Sequence, residues 1–477
     1  MRASHWRSST TLHARSPRRI NLDLKTDTIC AIATPPGAGG LGIVRLSGPC
    51  VRKIAENLFG ALPEPRYAKL ADFIDESGET IDFGIVLFFQ GPHSFTGEDV
   101  LELQGHGGPY ILQRVLERVM QLGARAARPG EFSERAFLND KMDLVQAEAI
   151  ADLIDSGTDA AARAAQRSLQ GVFSERVNHL RTTLMQLRVF VEAAIDFPNE
   201  EIDFLAESDV LQRLEQVRKE LTSLMHEARQ GRLLRDGIVL AIIGRPNAGK
   251  SSLLNALSGQ ESAIVTEIPG TTRDVLREQI EIDGIPVHLA DTAGIRKTAD
   301  RIEVEGVRRA REALESADIV LLVEDASEAP GGKQAGGQQD LAAELPAHVR
   351  YIRIGNKADL LDSADLNRVN RAAAGPDVWI SAKTGQGIDD LKTRILEELG
   401  AADQAEGSFS ARQRHIEALK RAGGHLEAGN ARMEENMSGE LLAEELRLAQ
   451  NALGEITGEV LPDDLLGEIF SSFCIGK

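Results

Sequence analysis

The spacing of apolar positions changes several times along the chain. From Thr28 to about Asp140, short apolar runs alternate with turn residues. Ile29 to Ala33, Gly42 to Leu46 and Ile81 to Phe89 read as strands, Val51 to Leu58 and Ile111 to Leu122 as helices, and Pro35-Pro36-Gly37 as a turn. This predicts an α+β domain over 27–140. From about Lys141 to Gly231, Ala, Glu, Leu, Gln and Arg dominate and apolar residues recur three and four apart, which predicts almost unbroken helix. The break is Asp196-Phe197-Pro198-Asn199-Glu200-Glu201. From about Asp236 to Leu399 strands and helices alternate as in a three-layer α/β domain, with Pro330 to Gln339 as a Gly- and Gln-rich surface loop. Helix returns after Ser408, and Leu441 to Leu453 is amphipathic. The α/β stretch (236–399) is thus inserted between two helical stretches (141–235 and 400–477). Neither closes a core by itself, so the two are predicted to pack as one helical domain.

Composition narrows the class. A chain of 477 residues is too long for one core. Its apolar fraction of 42% and charged fraction of 27% are ordinary for a globular protein, and no apolar run reaches the ~20 residues of a membrane span. A net charge of −19 argues against a general polyanion binder, so any RNA contact needs a local basic patch or a partner. Cys30, Cys50 and Cys474 are odd in number and widely spaced, which argues against a disulfide framework or a zinc site and fits a reducing compartment. The tail Cys474-Ile475-Gly476-Lys477 does not satisfy a prenylation signal. Residues 1–26 form a basic extension. Six Arg or Lys stand against the single acid Asp23, a composition like that of an organellar targeting segment; a disordered basic tail or a start codon placed too far upstream are the alternatives.

The chemistry lies in the inserted stretch. Gly244 to Ser251 reads GRPNAGKS, a phosphate loop between a buried strand (Ile238 to Ile243) and a helix beginning near Ser252. Asn247, Ala248 and Gly249 would present backbone N–H groups to phosphate, Lys250 would reach the β- and γ-phosphates, and Ser251 would ligate Mg²⁺. Asp291-Thr292-Ala293-Gly294 follows a second strand, where Asp291 would hold Mg²⁺ through water and Gly294 would sense the γ-phosphate. Asn356-Lys357-Ala358-Asp359 follows a third. A carboxylate there accepts from guanine N1–H and the 2-amino group, donors that adenine lacks, so the site is predicted to take GTP. Ser381-Ala382-Lys383 would brace the base. These strings occur in the order of a GTPase domain, each just after a strand.

The loop Thr266-Glu267-Ile268-Pro269-Gly270-Thr271-Thr272-Arg273-Asp274 is the expected first switch, with Thr272 completing the Mg²⁺ shell. The position of the usual water-orienting Gln holds Ile295. Another group must therefore orient water or neutralise charge. Glu303 and Glu305 are candidates for the first role and Arg273 for the second, with solvated surface charges as the alternative for each.

Longer strings carry a family resemblance. They are Ala33-Thr34-Pro35-Pro36-Gly37, SFTGEDVLELQGHGG (Ser94 to Gly108), ARPGEFSERAFLNDK (Ala127 to Lys141), EAAIDFP (Glu192 to Pro198) and FSSFCIGK (Phe470 to Lys477). With the GTPase motifs they make the chain, from about Asp27 to its end, resemble the tRNA modification GTPases of the MnmE (TrmE) family. The resemblance implies a folate-binding N-terminal domain that dimerises, a helical domain and an inserted GTPase domain. It also implies an FAD-dependent partner of the MnmG type in a heterotetramer, tRNA as substrate, a cytoplasmic location and no membrane. The product would be an aminomethyl-type group at C5 of the wobble uridine, from a tetrahydrofolate donor. Hydrolysis would be stimulated by K⁺ when two GTPase domains meet.

Carried over by position, Asn247 and the backbone around Thr266, Ile268 and Thr271 would bind K⁺, and Glu303 would position water. Arg45, Glu102, Lys141 and Lys477 would bind folate. Cys474 matches a residue that matters for modification, as nucleophile or as structure. Ala38 departs from the Arg that many relatives carry after Pro-Pro-Gly. Two rivals remain. A ribosome-assembly GTPase would carry a basic, aromatic RNA-binding domain, and only 4% of residues here are aromatic. A scaffold that uses GTP only to assemble would keep its assembly behaviour without Glu303.

Overall fold

Leu101 and Leu103 are buried while Glu102, Gln104 and His106 alternate with them on the more open face, as one strand covered on a single side requires. This strand sits in a computed structural model of the chain that describes residues 27–196, 207–258, 278–290, 317–327, 349–361, 376–400, 409–436, 439–460 and 463–476. The chain parts into two units, Met1–Lys141 with Gly467–Lys477, and Met142–Leu466.

The first unit runs β1 (Thr28–Ile32), β2 (Gly39–Ser47), α1 (Val51–Phe59), β3 (Lys69–Ile74), β4 (Thr80–Phe89), β5 (Val100–Gly107), α2 (Pro109–Gln121), β6 (Ala124–Ala126) and α3 (Glu131–Leu138). Its sheet has the order β3-β4-β5-β2-β1-β6, antiparallel except for β1 with β6. α1 and α2 bury Ile54, Leu58, Val115 and Val119 against Leu46, Val86, Phe88 and Leu103 of the sheet. The apolar runs locate β1, β2, β4, α1 and α2. The edge strand β3, the Glu- and His-bearing β5, three-residue β6 and α3 were not singled out, because none has a long apolar run.

The tail joins this unit. Gly130 has φ 66°, and a Cβ there would lie 2.4 Å from the Phe470 carbonyl. The Phe470 ring meets that of Phe473 edge-on at 5.3 Å and lies tilted at 6.2 Å from that of Phe137. The sequence pattern groups 400–477 together because it is helical throughout. Residues 467–477 group with the N-terminal unit instead, because Phe470 and Phe473 are buried there.

In the second unit come α4 (Leu144–Asp155), α5 (Asp159–Leu169), α6 (Val172–Asp196) and α7 (Glu207–Asp236), then β7 (Ile238–Gly244), α8 (Lys250–Ser258), β8 (Glu278–Ile282), β9 (Ile285–Ala290), β10 (Ile319–Asp325), β11 (Arg350–Asn356), β12 (Val378–Trp379) and α9 (Ile388–Leu399). Helices α10 (Gln413–Asn436) and α11 (Gly439–Thr457) follow, and then α12 (Asp463–Ser471), which begins in this unit. Leu184, Leu187, Val217, Leu221, Leu419, Leu426, Leu446 and Leu453 share one core, so helices before and after the α/β stretch bury one another. Each such side chain contributes about 1.5–3 kcal/mol on burial. The second sheet has the order β12-β11-β10-β7-β9-β8, parallel except for the β8–β9 hairpin. The architecture is the multidomain α/β arrangement with an inserted domain that the apolar pattern predicts. Among the described residues no helix is long and apolar enough to cross a membrane.

Thr158 shows how the inserted sheet is seated. Its hydroxyl caps α5 by accepting the Ala161 N–H at 3.1 Å and donates to the Gly284 carbonyl in the β8–β9 turn at 2.9 Å. Ala164, Leu233 and Leu234 join the apolar core of the sheet.

Candidate functional site

β7, β10 and β11 run parallel and end together, the edge at which open α/β sheets bind ligands. The phosphate loop leaves β7 there. Asn247 is left-handed at φ 66° and Gly249 at φ 93°. A Cβ on Gly249 would lie 2.1 Å from the Asn356 side-chain nitrogen, so only glycine leaves room for that contact. α8 begins at Lys250, two residues before the predicted start, which puts the loop's amides at a helix N-terminus. Lys250 donates to the Gly244 and Arg245 carbonyls at 2.8 and 2.9 Å and so lies over the loop. Ser251 and Ser252 are exposed on the first turn.

Asn356, buried at 2% exposure, joins the two halves of the site. Its amide donates to the Ala248 carbonyl at 2.8 Å and accepts from the Ala382 N–H at 3.1 Å. Ser381, also buried, donates to one Asp359 oxygen at 2.6 Å, while Asp359 itself is exposed. The carboxylate is thus held from behind with acceptor capacity outward, the donor set that a guanine edge requires. Lys383 is exposed beside it. The loop, the carboxylate and the Ser381 turn fit a guanine nucleotide. A serine hydroxyl as the described protein ligand fits Mg²⁺, which keeps waters and takes phosphate oxygens. Thr266, Glu267, Ile268, Pro269, Gly270, Thr271, Thr272, Arg273, Asp291, Thr292, Ala293, Gly294, Ile295, Glu303, Glu305 and Lys477 lie outside the described residues.

In the first unit, Arg45 of β2 faces Glu102 of β5 in register. Arg45 donates to Glu102 Oε1 at 3.0 Å through Nε, its Nη2 forms an ion pair with the same oxygen at 2.9 Å, and Gln104 donates to Oε2 at 3.2 Å. Arg45 also donates to the Gly476 carbonyl at 3.2 Å, which brings the tail to the pair. Phe95 and Phe132 lie 6.0 and 5.9 Å from the guanidinium. A carboxylate with spare acceptor capacity beside aromatic rings fits a pterin. Lys141 donates instead to the Pro92 carbonyl at 2.9 Å. Gln104, Phe95 and Phe132 were not singled out from the sequence, since only strand register and α3 bring them to Arg45. Burial pushes the Cys30 thiol up to about 12, whereas Cys474 is exposed.

A buried charge cluster marks where the chain enters and leaves the inserted sheet. Glu148 and Asp152 lie one turn apart on α4. Asp152 accepts from Arg235, at the end of α7, and from Arg412, both at 2.7 Å. Glu148 accepts from Arg414 twice at 2.7 Å and meets His415 Nε2 at 3.0 Å. The helical pattern does not distinguish these two acids from the others in the stretch. Their partners are remote in sequence, so no local pattern reveals the cluster.

The chain matches the family described as MnmE helical domain over residues 144–474 and that described as GTP-binding protein TrmE N-terminus over residues 28–141. It is 56% identical over 458 residues to a tRNA modification GTPase MnmE of Pseudomonas syringae pv. tomato, covering 96% of this chain and 100% of that protein. The protein of the same description from Hydrogenovibrio crunogenus is 54% identical over 457 residues, covering 96% of this chain and 100% of its own.

Proposed function

The chain belongs to the MnmE family of tRNA modification GTPases, and we propose on that premise how its residues divide the work. It is a GTPase that acts in tRNA modification. The observation that carries the site assignment is Asn356, whose two bonds fix the phosphate loop against the base-binding turn. Asp359, oriented by Ser381, selects guanine. Lys250 leaves its loop carbonyls for the β- and γ-phosphates. Ser251 and Thr272 hold Mg²⁺, which neutralises phosphate charge. Glu303 positions the attacking water, because Ile295 has no group to do so. Asn247, left-handed at φ 66° within the loop, holds K⁺ with Thr266, Ile268 and Thr271. Positive charge at that place substitutes for an arginine finger.

The proposed modification is an aminomethyl-type group at C5 of the wobble uridine of certain tRNAs, made with an FAD-dependent MnmG-type partner. Glu102 and Arg45 hold the pterin of a tetrahydrofolate donor, and Lys141 and Lys477 its anionic tail. Leu70 of β3 and Phe83 and Ile85 of β4, all exposed, support a homodimer through the first unit, because exposed apolar side chains on a sheet gain from being covered. Cys474, which is exposed, serves the modification as nucleophile or as structure. We place the protein in the cytoplasm, with an organellar address as the alternative if residues 1–25 direct it.

GTP turnover in K⁺ against Na⁺ at equal ionic strength tests this. Faster turnover in K⁺, lost in Asn247→Ala, is expected. Equal rates in the two salts overturn the cation assignment.

A further inference from the structure

Asp325, at the end of β10, is paired in register with Asn356 of β11, one residue before Lys357. Its Oδ2 lies 2.5 Å from Lys357 Nζ. Its Oδ1 accepts the Ser327 N–H at 3.0 Å and the Ser327 hydroxyl at 2.6 Å. The Ala326 N–H, in turn, donates to the Asn356 carbonyl at 2.8 Å. The carboxylate is therefore held by a turn of its own, with one oxygen committed to Ser327 and the other to the lysine. The Asp325 side chain is 12% exposed and that of Lys357 31%.

We infer that Asp325 is a positioning residue for nucleotide binding: it anchors the Lys357 ammonium so that the lysine stem lies flat as an apolar wall for the face of the base. The physical reason is entropic and electrostatic together. A free lysine stem samples many rotamers, and fixing it costs conformational entropy. Its charge would otherwise be drawn to the triphosphate on the neighbouring loop. Asp325 removes both problems before the nucleotide arrives. Lys357 itself sits at φ 66°, a left-handed backbone that starts the 3₁₀ turn Ala358–Leu360. The Asp325 carboxyl is held below its ordinary range: burial raises it, but Lys357 and the Ser327 bonds outweigh that. The anchor is therefore charged at neutral pH.

This inference rests on the guanine-site reading above. Asp359 reads the base edge, whereas the Asp325–Lys357 pair acts on the base face, which guanine and hypoxanthine share. Fluorescent GDP and its inosine counterpart, titrated into the full-length protein carrying Asp325→Asn, Asp325→Ala, Lys357→Ala or Asp325→Ala with Lys357→Ala, separate the possibilities. Both Asp325 variants should bind the two nucleotides about tenfold more weakly, equivalent to about 1.4 kcal/mol. The KM for GTP should rise alike with kcat within about twofold. The double variant should bind no more weakly than Lys357→Ala, because the aspartate acts only through the lysine. The near-isosteric Asp325→Asn tests the idea should the alanine variant unfold. Wild-type affinity in both Asp325 variants, or additive losses in the double variant, overturns it. An unchanged affinity in Lys357→Ala instead overturns the guanine-site reading on which it stands.

Discussion

Glu148 and Arg414 meet in a two-bond fork, Nε to Oε1 and Nη2 to Oε2, both at 2.7 Å, with the carboxylate fully buried. Burial raises the Glu148 carboxyl, but the charge of Arg414 and the bond from His415 outweigh it and hold the carboxyl far below its ordinary range. Arg414 also donates to the Glu455 and Ile456 carbonyls at 3.0 and 3.1 Å, satisfying the end of α11. The pair thus ties α4 and α11 to the residues that follow the inserted sheet.

Glu148→Ala should destabilise the helical core by about 3 kcal/mol, because it leaves the partly buried Arg414 without its countercharge and the buried His415 without its acceptor. Denaturant unfolding followed by helical signal measures this. A midpoint indistinguishable from wild type would show that the fork contributes only specificity.

His415 gives the acid limb its slope. Its Nδ1 accepts the Arg412 backbone N–H at 3.0 Å, so the ring proton sits on Nε2, facing Glu148. Protonating Nδ1 would break that bond. Burial, then the charge of Arg414, pushes the imidazole down to about 4 despite the opposing pull of Glu148. The unfolded chain, with an ordinary histidine near 6.5, takes up the proton first. The stability that His415 supplies is therefore complete above about pH 6.5 and lost as pH falls toward about 4. The Glu148 contribution is complete above about pH 4.5 and fades below it. In His415→Gln the unfolding free energy should be flatter between pH 7 and pH 4; an unchanged slope would assign the window to other groups.

Glu102→Gln keeps the shape of the β2–β5 pair but replaces the charged acceptor facing Arg45. Binding of 5-formyltetrahydrofolate should weaken at least tenfold, or about 1.4 kcal/mol, the scale of one lost charge-assisted bond. GTP turnover should not change, since Glu102 is not part of the nucleotide site. Calorimetric titration of the folate and a phosphate-release assay read the two effects separately. Retained folate affinity would remove Glu102 from that site.

The phosphate loop was legible because its function depends on a contiguous run. Gly244, Gly249, Lys250 and Ser251 must follow one strand and open one helix, and both elements announce themselves by apolar pattern. The string Asn356-Lys357-Ala358-Asp359, to which we assign the guanine, was legible for the same reason. The carriage of Asn356 across to Ala248 and Ala382 was not, since it depends on which strands the sheet makes neighbours.

The amino-acid order by itself determined the succession of domains, the nucleotide motifs and their base preference, because these are set by short-range period and by residues adjacent in the chain. Tertiary structure alone decided that Phe470 and Phe473 carry the tail onto the N-terminal unit, that Asp325 meets Lys357, and that Glu148 and Asp152 clamp both crossings of the inserted sheet. Each of those joins groups far apart in sequence, and a buried charge or ring finds its partner only when packing has closed the distance and removed the water that would otherwise satisfy it.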